Sequence, residues 1–142
     1  MSHNCAVRGV RRLERALTQL YDEMLRPSGL RATQLNLLTA IRRIQPVAVK
    51  ELAEAMGMDR TTLTRNLALL ERDGLVRSSP DSADRRIRTI RLTAKAHRML
   101  AAAYPLWEQA QKRLSGLLGR QRTQDLVSEL ATAAEALRAA AG

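Results

Sequence analysis

Between Gly57 and Gly74 lies a segment that opens Met58-Asp59-Arg60 and carries Leu63, Leu67 and Leu70 at helical spacing. No other stretch of the chain constrains the fold as tightly. Asp59 is a good N-cap, because a carboxylate there accepts hydrogen bonds from backbone N–H groups that have no partner in the first turn. The spacing therefore predicts a helix over 60–73, closed by Gly74. At about 100° per residue, Thr61, Arg65, Ala68 and Arg72 fall opposite the leucine seam. A shorter helix over 49–56 precedes it, with Gly57 as its C-terminal stop. Two short helices joined by a glycine-containing turn, the second polar on its outer face, outline a helix-turn-helix.

The segment after Gly74 reads as a hairpin. Val76-Arg77-Ser78 is a short strand, Pro80 to Asp84 is a loop of turn-forming residues, and Arg86 to Leu92 is a returning strand. Its alternation is imperfect, since Ile90 and Leu92 share a face and Ile87 does not. A charged loop projecting next to a helix-turn-helix has the form of a wing.

The flanks are helical. Val10, Leu13, Leu17, Leu20 and Met24 mark one face of a helix over 6–25, and Pro27-Ser28-Gly29 breaks the chain after it. A second helix over 32–44 carries Leu37, Leu38, Ile41 and Ile44, and Pro46 ends it. After Thr93, a cap residue, a long helix over 94–118 contains Pro105, which should kink it. Gly119 allows a break, and a last helix over 123–140 shows the stripe Leu126, Leu130, Ala134 and Leu137. The expected class is mainly α with a small β-wing. The apolar stripes at the two extremes of the chain have no obvious cover in a winged helix that is already compact. Burying them against each other and against a second copy resolves this. A twofold pair would also present two recognition helices to a palindromic site.

Charge sets the partner. Lys and Arg number 24 against 14 Asp and Glu, giving +10 in a chain of 142 residues, and the isoelectric point is about 11.3. Such an excess suits a polyanion. Aromatic residues are 2% of the chain, too few for the stacking platforms of single-stranded nucleic-acid binders, so duplex DNA is favoured. A solubilising basic surface would produce the same total.

The residues around this core resemble those of the MarR family of regulators. The resemblance runs from Leu52-Ala53-Glu54 to Leu92-Thr93 most strongly. It includes the Gly57-Met58-Asp59-Arg60 turn, Thr62-Leu63-Thr64-Arg65, Leu70-Glu71-Arg72-Asp73-Gly74-Leu75-Val76 and the Asp84-Arg85-Arg86 wing signature. Gly29-Leu30 with Thr33-Gln34 is similar to the family's entry to its second helix. Ala48 stands where a Ser or Thr cap is common, and Ala96 where glycine is common. The resemblance implies a winged helix-turn-helix over 30–93, flanked by dimerisation helices over 1–28 and 94–142 in a single domain. It implies dimers acting at promoters, released from DNA by a small phenolic or other lipophilic effector, or by oxidation of a cysteine.

On this reading, Thr61, Thr62, Thr64 and Arg65 are candidates for the major groove, where Arg can bond guanine bidentately and Thr can bond a base or phosphate or pack on a thymine methyl. Arg60, Arg85 and Arg88 are candidates for phosphate, and Arg86 for the minor groove. Asp84, two residues from Arg86, can hold it by a charge-assisted bond. Tyr21, Tyr104 and Trp107 either line an effector pocket or pack a dimer core. Cys5 is either a redox-active thiol near the start of the first helix or a small inert side chain.

Other functions find less support. A non-specific architectural binder would share the charge without needing a polar reading face. No Gly-rich phosphate loop, paired-carboxylate motif or Ser/His/Asp pattern indicates an enzyme, and Cys5 with His3 or His97 is a weak nucleophile–base pair. No cofactor or metal site is expected. One cysteine excludes an intrachain disulfide and suits a reducing cytoplasm. Neither a signal-peptide stretch in Met1 to Val10 nor a membrane-length apolar run is present, so a cytoplasmic location is expected.

Overall fold

A computed structural model describes residues 5–142. The element order is α1 (Ala6–Leu25), a 3-10 turn (Arg26–Ser28), α2 (Ala32–Ile44), β1 (Val47–Ala48), α3 (Val49–Met56), α4 (Arg60–Arg72), β2 (Val76–Pro80), β3 (Arg88–Leu92), α5 (Ala94–Leu118) and α6 (Arg120–Ala141). It is a mainly helical chain with a small antiparallel sheet of order β1-β3-β2.

The core gathers around α2. Leu38 and Ile41 meet Leu25 from α1, Val47 from β1, Leu52 from α3, Leu63 from α4 and Leu75 after it, all fully buried. Burying side chains of this size stabilises by about 1.5–3 kcal/mol each. The entry to α2 is tightly bonded. Ser28 Oγ donates to the Leu25 carbonyl at 2.6 Å and accepts from Leu30 N at 3.1 Å. Gly29 takes φ +79°, and a Cβ there would meet Met99 Cε at 3.1 Å, so this turn favours glycine twice over. Asp22 of α1 accepts from Ala32 N at 2.7 Å, and Gln34 Oε1 accepts from Arg31 N at 2.9 Å.

Several boundaries differ from expectation. The residues after Pro46 form β1, pairing Val47 with Ile90 and Ala48 with Thr89; two residues are too few to show a period. β2 continues to Pro80, and β3 begins only at Arg88. Arg86 and Ile87 belong to the turn, where Ile87 N donates to the Asp84 carbonyl at 3.0 Å and Asp81 N to the Ile87 carbonyl at 2.8 Å. That explains the broken alternation: Ile87 is 45% exposed while Ile90 is buried. Asp73 is the C-cap of α4 rather than its last residue. α6 starts at Arg120, because Thr123 already donates back to the Gly119 carbonyl, from N at 3.0 Å and from Oγ1 at 2.8 Å. Ala48 precedes α3 without a side-chain cap bond. Pro105 lies inside α5, which runs on as one helix.

The exit of α4 is joined to the entry of α5. Thr93 caps α5 by accepting from Ala96 N at 3.2 Å, and the same hydroxyl donates to the Gly74 carbonyl at 2.6 Å. Thr93 N donates to the Leu75 carbonyl at 3.1 Å. Lys95 Nζ donates to the Asp73 carbonyl at 2.8 Å, a cation where the helix dipole favours one.

The flanking helices leave their apolar stripes uncovered. α1 fully buries only Leu25 of its own residues, and α6 buries none. Val10 is 54% exposed, Leu117 65%, Val127 62% and Leu137 73%. No helix of the described residues is long and apolar enough to cross a membrane.

Candidate nucleic-acid interface and effector cleft

The leucine seam of α4 fixes its outward face. Leu63, Leu67 and Leu70 are buried, which leaves Thr61, Thr64 and Arg65 exposed together with Arg60. Asp59 caps the helix with both oxygens: Oδ2 accepts from Thr62 N at 2.9 Å and Oδ1 from Thr62 Oγ1 at 2.7 Å. Thr62 thus differs from its neighbours. It is half-buried, and its hydroxyl is committed to the cap rather than turned outward. The bonds from the Thr62 side chain and backbone, with the Arg65 charge as a lesser cause, hold the Asp59 carboxyl below its ordinary value.

A depressed carboxyl stabilises the fold above its unfolded value and loses that contribution as pH falls through the folded one. Replacing Asp59 with Ala should lower the melting temperature by a few degrees at neutral pH. The difference from the parent should shrink in acid, as pH falls through the lowered value of the parent's own carboxyl. Thermal melts from neutral pH to about pH 3 check this; a gap that widens in acid would contradict the capping role.

The wing is built on two carboxylates. Asp81 Oδ2 accepts from the backbone N–H groups of Ala83 and Asp84, each at 3.1 Å. Asp84 then takes Arg86 at three points: from its backbone N to Oδ1, from Nε to Oδ1 and from Nη2 to Oδ2, all at 3.1 Å. The Arg86 side chain bonds hold the Asp84 carboxyl below its ordinary value, with the Arg86 backbone bond second. The Arg86 side chain nevertheless stays 90% exposed, so the bidentate pair aims the guanidinium without hiding it. Arg85 is exposed. Arg88 is exposed too but held across the hairpin, donating from Nε to Ser78 Oγ at 2.9 Å and from Nη2 to the Ser78 carbonyl at 3.1 Å.

Of the three aromatic candidates, two meet at one place. Tyr21 and Trp107 line a cleft of about 620 Å³ between α1, α2, α5 and α6, walled by Leu13, Leu17, Leu35 and Leu130. Across it the Tyr21 hydroxyl donates to Gln111 Oε1, and burial raises the Tyr21 phenol above its ordinary value. Gln111, Asn36 and Glu14 also line the cleft. Sequence reasoning missed them because no local pattern links Gln111 to a tyrosine so far away in the chain. Tyr104 is not among the lining residues; it is 52% exposed and sits against Trp107, ring centroids 5.5 Å apart.

Cys5 is exposed at the start of α1. Tyr21 lies sixteen residues further on, about 24 Å along a helix, and its hydroxyl is engaged with Gln111, so the structure does not bring the two together. His3 lies outside the described residues, and no group of three or more metal-ligating side chains occurs among the described ones.

Comparison with known proteins agrees with this architecture. The model of the MarR family matches residues 30–87. Transcriptional regulator HosA of Escherichia coli is 38% identical over 79 residues, 56% of this chain and 58% of that protein; the match thus spans less than two thirds of that relative. The crystal structure of M. tuberculosis transcriptional regulator MosR in complex with DNA is 43% identical, covers 95% of this chain and 99% of that one, and superposes with a TM-score of 0.80. The transcriptional repressor CouR bound to a 23-mer DNA duplex is 27% identical, with a TM-score of 0.81 over 92% of each chain. CouR has also been solved with p-coumaroyl-CoA, at 26% identity and a TM-score of 0.80 over 92% of this chain and 91% of that one.

Proposed function

Since this chain belongs to the MarR family of DNA-binding transcriptional regulators, we propose that it acts in the cytoplasm as a homodimeric repressor of a pseudo-palindromic operator, released by a small apolar effector. Its relatives are regulators of transcription, not enzymes. The observation that carries the reading is the exposed face of α4, where Thr61 and Arg65 stand opposite a buried leucine seam and Thr64 flanks them, exposed. These three side chains read base edges in the major groove. Arg60, Arg85 and Arg88 meet phosphate, which sets register without reading sequence. Thr62 supports them by holding Asp59.

Residues 30–93 form the DNA-binding part of one domain, and the helices over 1–28 and 94–142 the dimer. The uncovered stripes of α1 and α6 support this division. An effector seated in the cleft beside Tyr21 and Trp107 changes the angle between the dimer helices and the winged helix. It releases DNA only if it binds the misaligned dimer better than the aligned one. Isolating duplex fragments bound from the source genome, then footprinting one, tests the whole reading; protection without sequence preference would mean an architectural binder instead.

The wing supplies a sharper test. Arg86 enters the minor groove, where a narrow groove concentrates negative potential. Arg86→Ala should weaken binding on the order of tenfold to a hundredfold. Asp84→Ala removes a negative charge from a basic loop, so electrostatics alone predicts tighter binding. The three bonds to Arg86 predict the opposite, because an unheld guanidinium loses its aim. One titration at fixed salt separates the two, and tighter binding by Asp84→Ala would reduce Asp84 to a turn residue.

A further inference from the structure

The cleft beside Tyr21 and Trp107 has an unusual charge balance for its surroundings. The chain carries 24 Lys and Arg, yet none of them lines this cleft, and among the described residues its single charged lining residue is an acid, Glu14. The remaining polar groups near its walls, the amides of Asn36 and Gln111 and the hydroxyls of Thr18 and Tyr21, are neutral. The Tyr21 phenol is partly buried and raised above its ordinary value, so it carries no charge at physiological pH.

We propose that this cleft takes uncharged or cationic apolar molecules and rejects carboxylates. The inference rests on the effector reading above and adds the ligand's chemical class. An apolar body fits against Leu17 and Trp107, in a volume within the range of small-molecule sites. A carboxylate seated there gives up its hydration and finds amide and hydroxyl donors. Those satisfy hydrogen bonds, but no cation offsets the charge. An ammonium in the same place meets Glu14. Because Glu14 is exposed, that pair adds only a modest preference over an uncharged ligand. The larger discrimination is against the anion. CouR, which binds the polyanion p-coumaroyl-CoA, would on this view differ from this chain in ligand class while sharing its fold.

The chain has one tryptophan, and it lines the cleft, so its fluorescence reports occupancy directly. Three probes of one skeleton, phenylbutanol, phenylbutylamine and phenylbutyrate, should be titrated at neutral pH into the intact protein. The alcohol and the amine should saturate the signal, and the carboxylate should bind at least about tenfold more weakly than either. Glu14→Gln should bring the amine down to the alcohol, and Glu14→Lys should raise the carboxylate to the amine or beyond it. Glu14 is exposed, so neither change threatens the fold. Carboxylate binding within about twofold of the alcohol would overturn the proposal, as would an order unmoved by Glu14→Lys or no response to any probe. Operator binding measured on the same preparations keeps the readings apart. Retained, it leaves the regulator standing when the ligand class fails; lost in the parent protein, it counts against the regulator itself.

Discussion

Raising salt from 50 to 200 mM should weaken operator binding by about three orders of magnitude. The expectation comes from counting phosphate partners. Arg60, Arg85 and Arg88 are exposed on each chain, and a dimer doubles them to six. Each neutralised phosphate contributes about −0.9 to the log–log salt slope, so the slope should be near −5, which over a fourfold change in salt gives a loss of that size. The side chain of Arg88 already donates to Ser78, which fixes it in place before DNA arrives. Arg88→Ala should therefore reduce the slope by about two, one for each chain, without changing which sequences are preferred. Gel-shift titrations across a salt series measure both quantities. A flat response would show that phosphate contacts are not what binds.

Ending the chain after Leu118 should convert the protein to a monomer and cost operator affinity on the order of a hundredfold to ten-thousandfold, the usual worth of a second tethered site. α6 contributes no buried residue to its own chain, so its loss leaves the core around α2 intact. What goes is the stripe of Val127, Leu130 and Leu137, which are 62%, 39% and 73% exposed. Covering what each leaves exposed is worth part of the roughly 1.5–3 kcal/mol of full burial, and twofold symmetry counts each one twice. Sedimentation of the shortened chain reads the oligomeric state, and its melting curve reads the core around α2. A shortened chain that stays dimeric and binds at full strength would remove α6 from the interface.

Much of the fold was legible from residue patterns alone. The C-terminal limits of α1, α2, α3 and α5 follow from Pro and Gly, which act locally and leave a local mark. Asp59 and Thr93 cap where their chemistry says they should, and the Asp84–Arg86 pair needs only a two-residue spacing to form. The features that stayed hidden depend on distant partners. β1 exists because β3 returns beside it, and Val47-Ala48 alone has no period to read. Asp22 finds Ala32 across the 3-10 turn, and Tyr21 finds Gln111 across the cleft. Tyr104 and Trp107 looked equivalent as lone aromatics, yet only Trp107 faces the cleft. Period 3.6 places both on α5 and does not decide which neighbour each side chain meets.

The junction where Thr93 and Lys95 bond the end of α4 has a consequence for engineering. A recognition helix is tempting to exchange between relatives as a short cassette that ends at its terminal glycine. Here that cassette would be cut through its own anchorage, since the carbonyls of Asp73, Gly74 and Leu75 are held by donors some twenty residues downstream. A chimera that swaps only 60–74 leaves behind the Asp59 cap and depends for its fastening on the residues the recipient has at 93 and 95. The natural unit of exchange is 59–96, which carries cap, helix, wing and fastening together; specificity transplanted in that larger block keeps its orientation.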